Sequence, residues 1–563
     1  MEDVTHPNRL CGSDARPGVR SGKGHVVKRC TVIALGALLV ALAVAGPASA
    51  AKRGGTFEGM FATDVDFVDP SLAYYAHSMR IQNAIGANLV RFADAEGAAG
   101  SRLVPEVASF PLVSADGRTY TFRIRQGFRF SNGKPVTARN FAWAINRALA
   151  PQQQSPGATF LSDLVGAQAV VDGKARAASG VRVLGGGSAL RIRLTRPSPD
   201  LMTRLALPFF QAIDTAVPVD AKGVRSFASA GPYRIASWTP NVRLVLTRNP
   251  YYKRNPLATR PANVDRFDFQ ANVSLDAQLL KVKAGEADYG AEGVAPTAHA
   301  DLARQYGINK GRYQVRQVPV TQFIAINTTR GIFRDPAVRK AVNLAIDRQA
   351  ILSQRGYLAG KRADQILPPG IPGFRDFQAY PLRYSEASVA KAKQLMRGRT
   401  AHALMLAGNR GSNLLIPQIV KFNLAKIGID LDVRPLAAGP LAAAAGTKGE
   451  PFELFLSGWQ ADYPDPNAFM STLLDGTTIR ESNNNNVSYF DVGKINRRLH
   501  AAAGLSGAER YRAFASLDRE ITLEYAPWAA LSNPNSRDFV SARVGCYGYH
   551  PTYGLNLVTV CLK

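Results

Sequence analysis

The chain has 563 residues, with 69 Lys and Arg against 42 Asp and Glu and a formal net charge of +27, and it exceeds the roughly 250–300 residues that one hydrophobic core supports. With 46% hydrophobic and 20% charged residues it buries enough apolar surface to offset chain entropy, which excludes a largely disordered protein. Four cysteines and seven histidines in this length exclude a disulfide scaffold and argue against a dense metal site.

The first predicted element is an export leader at residues 23–50. Lys23, Lys28 and Arg29 form its positive end, Val32–Ala45 is an uncharged run of fourteen residues, and Ala48-Ser49-Ala50 is the small-x-small pattern of a cleavage site. Fourteen residues fall short of the roughly 20 that span a bilayer as a helix, so cleavage ahead of Ala51 is expected rather than anchoring. No cysteine follows the apolar run, since Cys30 precedes it, which removes the acceptor for a lipid-modified N-terminus. A periplasmic or secreted protein is therefore expected. The polar stretch before Lys23 has no apolar periodicity and reads as sequence upstream of a start near Val26 or Val27.

Residues 1–50 hold six basic and three acidic residues, leaving +24 on the exported part. One reading is a basic face for nucleic acid, anionic lipid or an acidic substrate. The other is a dispersed, solubilising charge, favoured because Lys and Arg are scattered without a long basic block. Nucleic acid is in any case out of reach after export. Cys546 and Cys561 survive cleavage, and an oxidising compartment predicts a disulfide between them.

Gly54-Gly55-Thr56-Phe57 opens a short strand, and Ile81, Ile85 and Leu89 recur every four residues as one helical face that runs into a strand. From Ser114 to Lys134 the period becomes two. Asp116-Gly117 and Asn132-Gly133 make turns around alternating Tyr120, Phe122 and Ile124, a small antiparallel sheet with one apolar face. Thr137 caps a helix carrying Phe141, Ile145 and Leu149, which Pro151 stops. A second β-rich stretch begins at Gly231-Pro232-Tyr233 and runs through Arg243–Leu246 to Asn249-Pro250-Tyr251-Tyr252, and Leu279, Leu280 and Val282 form a helix ended by Gly285. Asp335-Pro336 starts a helix with Val338, Val342 and Ile346 on one face. Ser388 is read as the cap of the next helix, and a helix over Ile419–Ile427 feeds a strand with Ile429, Leu431 and Val433. The last helix carries Tyr511, Phe514, Leu517 and Ile521. Helices that feed buried strands predict an α/β protein with a partly parallel sheet.

The sequence holds no His-Glu-x-x-His, Gly-x-Ser-x-Gly, Walker-type or Cys-x-x-Cys motif. His77, His299, His402, His500 and His550 are far apart and read as surface or core residues. The segment Leu456-Ser457-Gly458-Trp459-Gln460-Ala461-Asp462-Tyr463-Pro464-Asp465-Pro466 stands out. Exposed backbone at Gly458 suits pairing with an extended ligand, Trp459 suits covering its side chain, and Asp462 suits an ammonium group. The alternative is a buried Trp and an Asp-Pro turn at a sheet edge.

Four segments in order resemble the extracellular solute-binding proteins of family 5, the oligopeptide- and dipeptide-binding components of ABC importers. They are Asp116–Arg125 with Phe130–Ala138, Gly231-Pro232-Tyr233 with Arg248–Tyr252, Asn327 with Asp335–Arg348, and Gly-Trp-x-Ala-Asp-Tyr at 458–463. The resemblance implies a type II-like periplasmic binding fold of three domains that closes around its ligand by hinge motion. Lobe I maps to 51–88, 206–318 and 521–563, the extra β-rich domain to 89–205, and lobe II to 319–520. It also implies that Asp462 takes a peptide α-amino group, with Trp459, Gly458, Gln460, Tyr463, Phe323 and Tyr74 lining the same cleft.

Two departures stand out. Ala108-Ser109-Phe110 replaces a tryptophan common in relatives, and Phe455-Leu456-Ser457 lacks the arginine that some relatives place before Gly-Trp to meet a carboxylate. The implied function is a non-catalytic, monomeric receptor, without cofactor or metal, that delivers peptides or similar amine-bearing solutes to a membrane permease and its ATPase. Because family members also bind sugars, opines and metal chelates, a non-peptide solute is the alternative; a secreted hydrolase or an envelope chaperone is a more distant one.

Overall fold

The computed structural model describes residues 53–563; the leader at 23–50, its cleavage site and Cys30 lie outside the described residues. Thr56–Met60 enters a five-stranded sheet in the order Tyr289–Gly290, Thr56–Met60, Arg266–Gln270, Arg243–Arg248, Tyr233–Thr239. Both pairings of Thr56–Met60 are parallel, and the hairpin side of the sheet is antiparallel. Phe57, Phe267, Phe269, Leu244, Leu246 and Tyr233 form one buried cluster with Ile81 and Ile85 of the helix Ala76–Ile85.

That helix is shorter than the predicted face, because it stops at Gly86 and Leu89 lies beyond it, next to the strand Val90–Phe92. A β-carbon at Gly86 would lie 1.5 Å from Gln211 Oε1, and one at Gly231 would lie 2.3 Å from the Gly86 carbonyl oxygen. Two glycines thus let the segments pass in contact, joined by the Gly231 N–H donating to the Ile85 carbonyl at 2.8 Å. The C-terminal residues Leu555, Leu557, Val558, Val560 and Leu562 complete this core. Cys546 and Cys561 are disulfide-bonded there, with Cα atoms 4.8 Å apart.

The period-two segment becomes a four-stranded antiparallel sheet in the order Leu112–Val113, Thr119–Arg123, Ala189–Arg193, Val181–Leu184. Tyr120, Phe122 and Ile124 are buried while Arg123 is exposed, as alternation requires. Thr137 starts the helix Ala138–Leu149, and Asn140 Oδ1 accepts from the Thr137 N–H at 2.8 Å in a capping box. Phe141, Ile145 and Leu149 pack with Leu190 and Ile192 of the sheet. Arg147 on the same helix is fully buried against Asp69, at 2.6 and 2.5 Å, and so ties this sheet to the segment before the first helix.

The third sheet has seven strands, in the order Tyr313–Gln317, Trp528–Phe539, Val320–Ile326, Leu454–Gln460, Ala401–Gly408, Ile429–Leu436, with Gly360–Arg362 also on Trp528–Phe539. Ala401–Gly408, the helix Ser412–Ala425 and Ile429–Leu436 are a parallel βαβ unit. The helix begins well before Ile419 and contains Pro417. Ser385, not Ser388, caps the helix Glu386–Met396; Ser388 closes the capping box from the third position. Asp335 caps Pro336–Ala345 as predicted, its Oδ1 accepting from the Ala337 N–H at 2.8 Å.

One face of the sheet packs Ile324, Leu454 and Leu456 under Val342, Val389 and Val420 of the helices. The other packs Phe323, Phe455 and Trp528 against Phe469, Leu499 and Phe514. Sheets covered on both faces explain the near-continuous apolar runs in these strands. No helix among the described residues is long and apolar enough to cross a membrane.

The disulfide spans a sequence separation of 15, for which the chain-entropy account gives about 3 kcal/mol. A Cys546→Ser, Cys561→Ser double variant is expected to lose about that much stability in denaturant unfolding. An unchanged midpoint would show that apolar contacts alone hold the C-terminal segment.

Candidate functional site

Leu454–Gln460 pairs along its whole length with Val320–Ile326 on one side. On the other side Ala401–Gly408 pairs only with Leu454 and Phe455. Among the described residues the edge from Leu456 to Gln460 is left without a strand partner, and Gly458 and Gln460 are exposed on it. A free edge of this kind supplies main-chain donors and acceptors to an extended ligand.

Trp459 is half-buried, and its Nε1–H donates to the Ala468 carbonyl at 3.1 Å, so only the indole face remains for other contacts. Gln460 Nε2 donates to the Thr552 carbonyl at 3.1 Å. Two residues expected in the cleft are elsewhere. Phe323 is 2% exposed and stacks on Trp528 with ring centroids 3.6 Å apart, a core position with no face for a ligand. Tyr463 is 3% exposed, its ring edge against Phe160 and its hydroxyl donating to Asp200 Oδ2 at 3.1 Å.

Tyr463 belongs to a buried charged network that fixes the turn after the strand. Arg510 holds Asp465 through two bonds, at 3.0 and 2.7 Å, and reaches Asp200 at 3.4 Å. Arg204 binds Asp163 at 2.9 Å twice and lies 3.3 Å from Asp200, while Asn467 Nδ2 donates to Asp200 at 3.0 Å. Burial alone would raise the Asp200 pKa, but the Arg204 and Arg510 guanidiniums outweigh it and hold the carboxyl below its usual range. Asp462 sits at the end of the strand and at the start of this rigid turn.

Tyr74, far away in sequence, reaches Asp462: its hydroxyl donates to Oδ1 at 2.8 Å. The loop carrying Tyr74 is held by the N–H groups of Tyr74 and Tyr75, which donate to Asp66 Oδ2 at 2.8 and 3.0 Å. Burial and the neighbouring Asp462 charge push the Tyr74 phenol well above its usual range, so it stays a donor. Asp462 Oδ2 is enclosed and has no hydrogen-bond partner among the described residues. Desolvation pushes the Asp462 carboxyl up to about 7, only partly offset by the Tyr74 bond.

Asp518 is also pushed up to about 7 by burial, yet it accepts from Gln365, Ile366, Leu367 and Thr522. Asp518 is therefore a satisfied structural carboxyl. Asp163, Asp200 and Asp465 have arginines. Asp462 has neither a cation nor a full set of donors, and its open oxygen is chemically suited to an ammonium group. Two pockets, of about 250 and 490 Å³, lie elsewhere, one beside Asp94, Tyr547 and Asn556 and one beside Lys340, Tyr380 and Leu523.

The raised pKa sets the sign of a stability effect. A carboxyl pushed up on folding contributes stability that is fully present below the unfolded pKa, near 3.8, and is lost as pH rises through about 7. Ligand-free Asp462→Asn is accordingly expected to match the protein near pH 4 and to be the more stable above pH 7, by about 2–4 kcal/mol at about 1.4 kcal/mol per pKa unit. Denaturant midpoints of the two proteins between pH 4 and 8 check this; parallel curves would show that Asp462 ionises freely.

The sequence model of the bacterial extracellular solute-binding proteins, family 5 Middle, matches residues 102–481. A dipeptide-binding protein of Lactococcus lactis subsp. cremoris is 24% identical over 83% of this chain and 87% of its own. The oligopeptide-binding protein OppA of Bacillus subtilis is 26% identical, and there the match spans about half of each protein, 51% of this chain and 52% of the relative. Among solved structures, clavulanic acid biosynthesis oligopeptide binding protein 2 superposes with a TM-score of 0.84 at 25% identity, covering 91% of this chain and 96% of that one.

Proposed function

The chain belongs to the bacterial extracellular solute-binding proteins of family 5 and has the type II periplasmic binding protein fold, and from that premise we propose that it captures peptides or similar amine-bearing solutes outside the cytoplasm and hands them to the permease of an ABC importer. The observation that carries the reading is the unpartnered oxygen of Asp462 at the end of a free strand edge. An ammonium group placed there supplies the missing charge and takes up the unused acceptor. Main-chain pairing along Leu456–Gln460 adds affinity that does not depend on the ligand's side chains, and Trp459 offers a face for one of them. The protein acts by binding and release as a single chain; a separate ATPase drives transport.

Tyr74 falls in the segment assigned to lobe I and Asp462 in that assigned to lobe II, with boundaries at 51–88, 206–318 and 521–563 for the first, 319–520 for the second and 89–205 for the extra domain. A ligand on Asp462 therefore touches both lobes, and it stabilises the closed arrangement by the contacts it makes only there. The leader at 23–50 exports the protein, and +24 of dispersed charge keeps the exported part soluble.

Thermal unfolding of the dialysed protein with alanine di-, tri- and tetrapeptides tests this reading. A ligand at 100 times its Kd adds about 2.7 kcal/mol. Free peptides are expected to raise Tm, and N-acetylated ones to leave it unchanged. The carboxyl must be ionised to receive the amine, so affinity is expected to fall about tenfold per pH unit below 7 and to lose this slope in Asp462→Asn. Equal binding of free and N-acetylated peptides would remove Asp462 as the anchor, and a shift only with sugars or opines would replace the substrate class.

A further inference from the structure

The helix Ser412–Ala425 covers the seven-stranded sheet with Ile416, Val420 and Leu424, all fully buried. Its opposite side, where a surface helix ordinarily carries charged and polar residues, holds Leu414, Leu415, Gln418, Phe422 and Ala425, and all five are exposed. At 3.6 residues per turn they fall within one arc of about 100°. Phe422 is 65% exposed and Leu415 54%. Single exposed apolar residues are ordinary, whereas a continuous stripe of them marks a surface that something covers.

The charge around the stripe has one sign. From Ala387 to Ile429 the chain contains no Asp or Glu and seven Lys and Arg. Arg399 pairs with Asp335 at 2.6 Å and Lys426 with Glu386 at 3.6 Å, while Lys391, Lys393, Arg397, Arg410 and Lys421 have no carboxylate partner among the described residues. The stretch includes most of the helix Glu386–Met396, whose Val389, Ala392 and Met396 cover the same face of the sheet as Ile416, Val420 and Leu424. The outward sides of the two helices therefore share one surface. They are joined where the Lys426 ammonium lies over the rings of Tyr384 and Phe422, at 5.1 and 4.9 Å. The acids of the following strand are turned away: Asp430 and Asp432 alternate with Ile429 and Leu431, which are buried under these helices, and bond to His402 on the other face. Beside the helix Glu386–Met396, the cavity of about 490 Å³ lies among Leu344, Leu395 and Leu523 with Lys340 and Lys391 in its wall; Lys340 is 3.7 Å from Glu524.

We propose that this surface seats the protein on a lipid bilayer with anionic headgroups, with Leu414, Leu415 and Phe422 entering the interface and the unpaired Lys and Arg meeting the headgroups. Apolar side chains flanked by long cationic ones are the composition of elements that lie in a membrane interface, since Lys and Arg keep their charge at headgroup level while their stems cover apolar surface. A second copy of this chain seated face to face would oppose the same cations to one another. A bilayer brings only the complementary charge, and its headgroups rearrange to meet exposed cations wherever they stand. Each Lys or Arg near such a surface strengthens binding about fivefold, and salt screens the effect beyond about 10 Å. Seating of this kind holds a receptor in the plane where a permease lies, which raises its local concentration without any further contact.

Sedimentation with vesicles tests this, using phosphatidylcholine alone and phosphatidylcholine with an equal part of phosphatidylglycerol. The protein is expected to pellet with the mixed vesicles and to stay in solution with phosphatidylcholine alone. Leu415→Ser with Phe422→Ser leaves every charge in place and is expected to weaken binding about tenfold or more. Arg410→Gln with Lys421→Gln leaves the stripe in place and is expected to weaken it by a similar factor. All four side chains lie at the surface of the helix or beside it, so Tm is expected to stay unchanged in both variants. Phe422→Trp, which keeps an aromatic ring, gives an independent reading: its added fluorescence is expected to be quenched by mixed vesicles of brominated lipid, and an unquenched indole on vesicle-bound protein overturns the proposal. Equal pelleting of the unmodified protein and the Leu415→Ser, Phe422→Ser variant would assign binding to dispersed charge and overturn it too, as would no pelleting with the mixed vesicles. Concentration-dependent dimers that this double variant abolishes, with no pelleting, would give the face to a second copy instead.

Discussion

Trp528–Phe539 is the strand on which the arrangement depends. Over twelve residues it pairs with Tyr313–Gln317 near its end, with Val320–Ile326 near its start, and with Gly360–Arg362 between. Val320–Ile326 in turn carries Leu454–Gln460 in register, residue for residue. The stack of Phe323 on Trp528 pins that register from within the core. A slip of one residue would turn every side chain of the site strand to the opposite face. The position of Gly458 and Asp462 is therefore set by packing that involves neither of them.

A pattern in the charges separates scaffold from site. Buried aspartates that hold segments together are met either by an arginine, as at Asp69 with Arg147, Asp163 with Arg204 and Asp465 with Arg510, or by a full set of donors, as at Asp518. Removing one partner of such a pair strands a buried charge, an effect of about 3–5 kcal/mol. Asp462 breaks the pattern, with one oxygen enclosed and unpartnered among the described residues. Isolated, it lowers stability. That is the usual signature of groups kept for a ligand rather than for the fold.

Turns and caps are legible from local signals. Asp116-Gly117, the Thr137 cap and Asp335-Pro336 each act through one or two neighbouring residues, and each appears where it was read. Signals that need a partner failed. Alternation in Val320–Ile326 is equally consistent with either face, so nothing local tells that Phe323 points to the aromatic core while Gln322 lies over Gly458. Tyr463 follows Asp462 directly, yet its environment is set by Asp200 and Phe160, which no spacing links to it. Ser388 carries the same capping signal as Ser385, which lies one helical turn earlier, because the two share a capping box. Asp462 was legible as a candidate from its motif, whereas its open oxygen is a fact of packing.

The bond between Tyr74 and Asp462 bears on how binding couples to closure. Tyr74 uses Oδ1 and leaves Oδ2 free, so an arriving ammonium adds to this contact instead of displacing it. A hydroxyl donated to a desolvated carboxylate is weaker than a charged donor, and it leaves the Asp462 charge unmet without ligand. On the proposed reading the ligand removes that deficit where Tyr74 and Asp462 are together, which would make its affinity for the closed arrangement the larger one. Moving an equilibrium from 1:99 to 99:1 requires about 5.5 kcal/mol of such differential affinity. On the proposed reading, the desolvated ionic contact at Asp462 supplies part of it, since charge-assisted hydrogen bonds are about twice as strong as neutral ones, and main-chain pairing along Leu456–Gln460 adds to it.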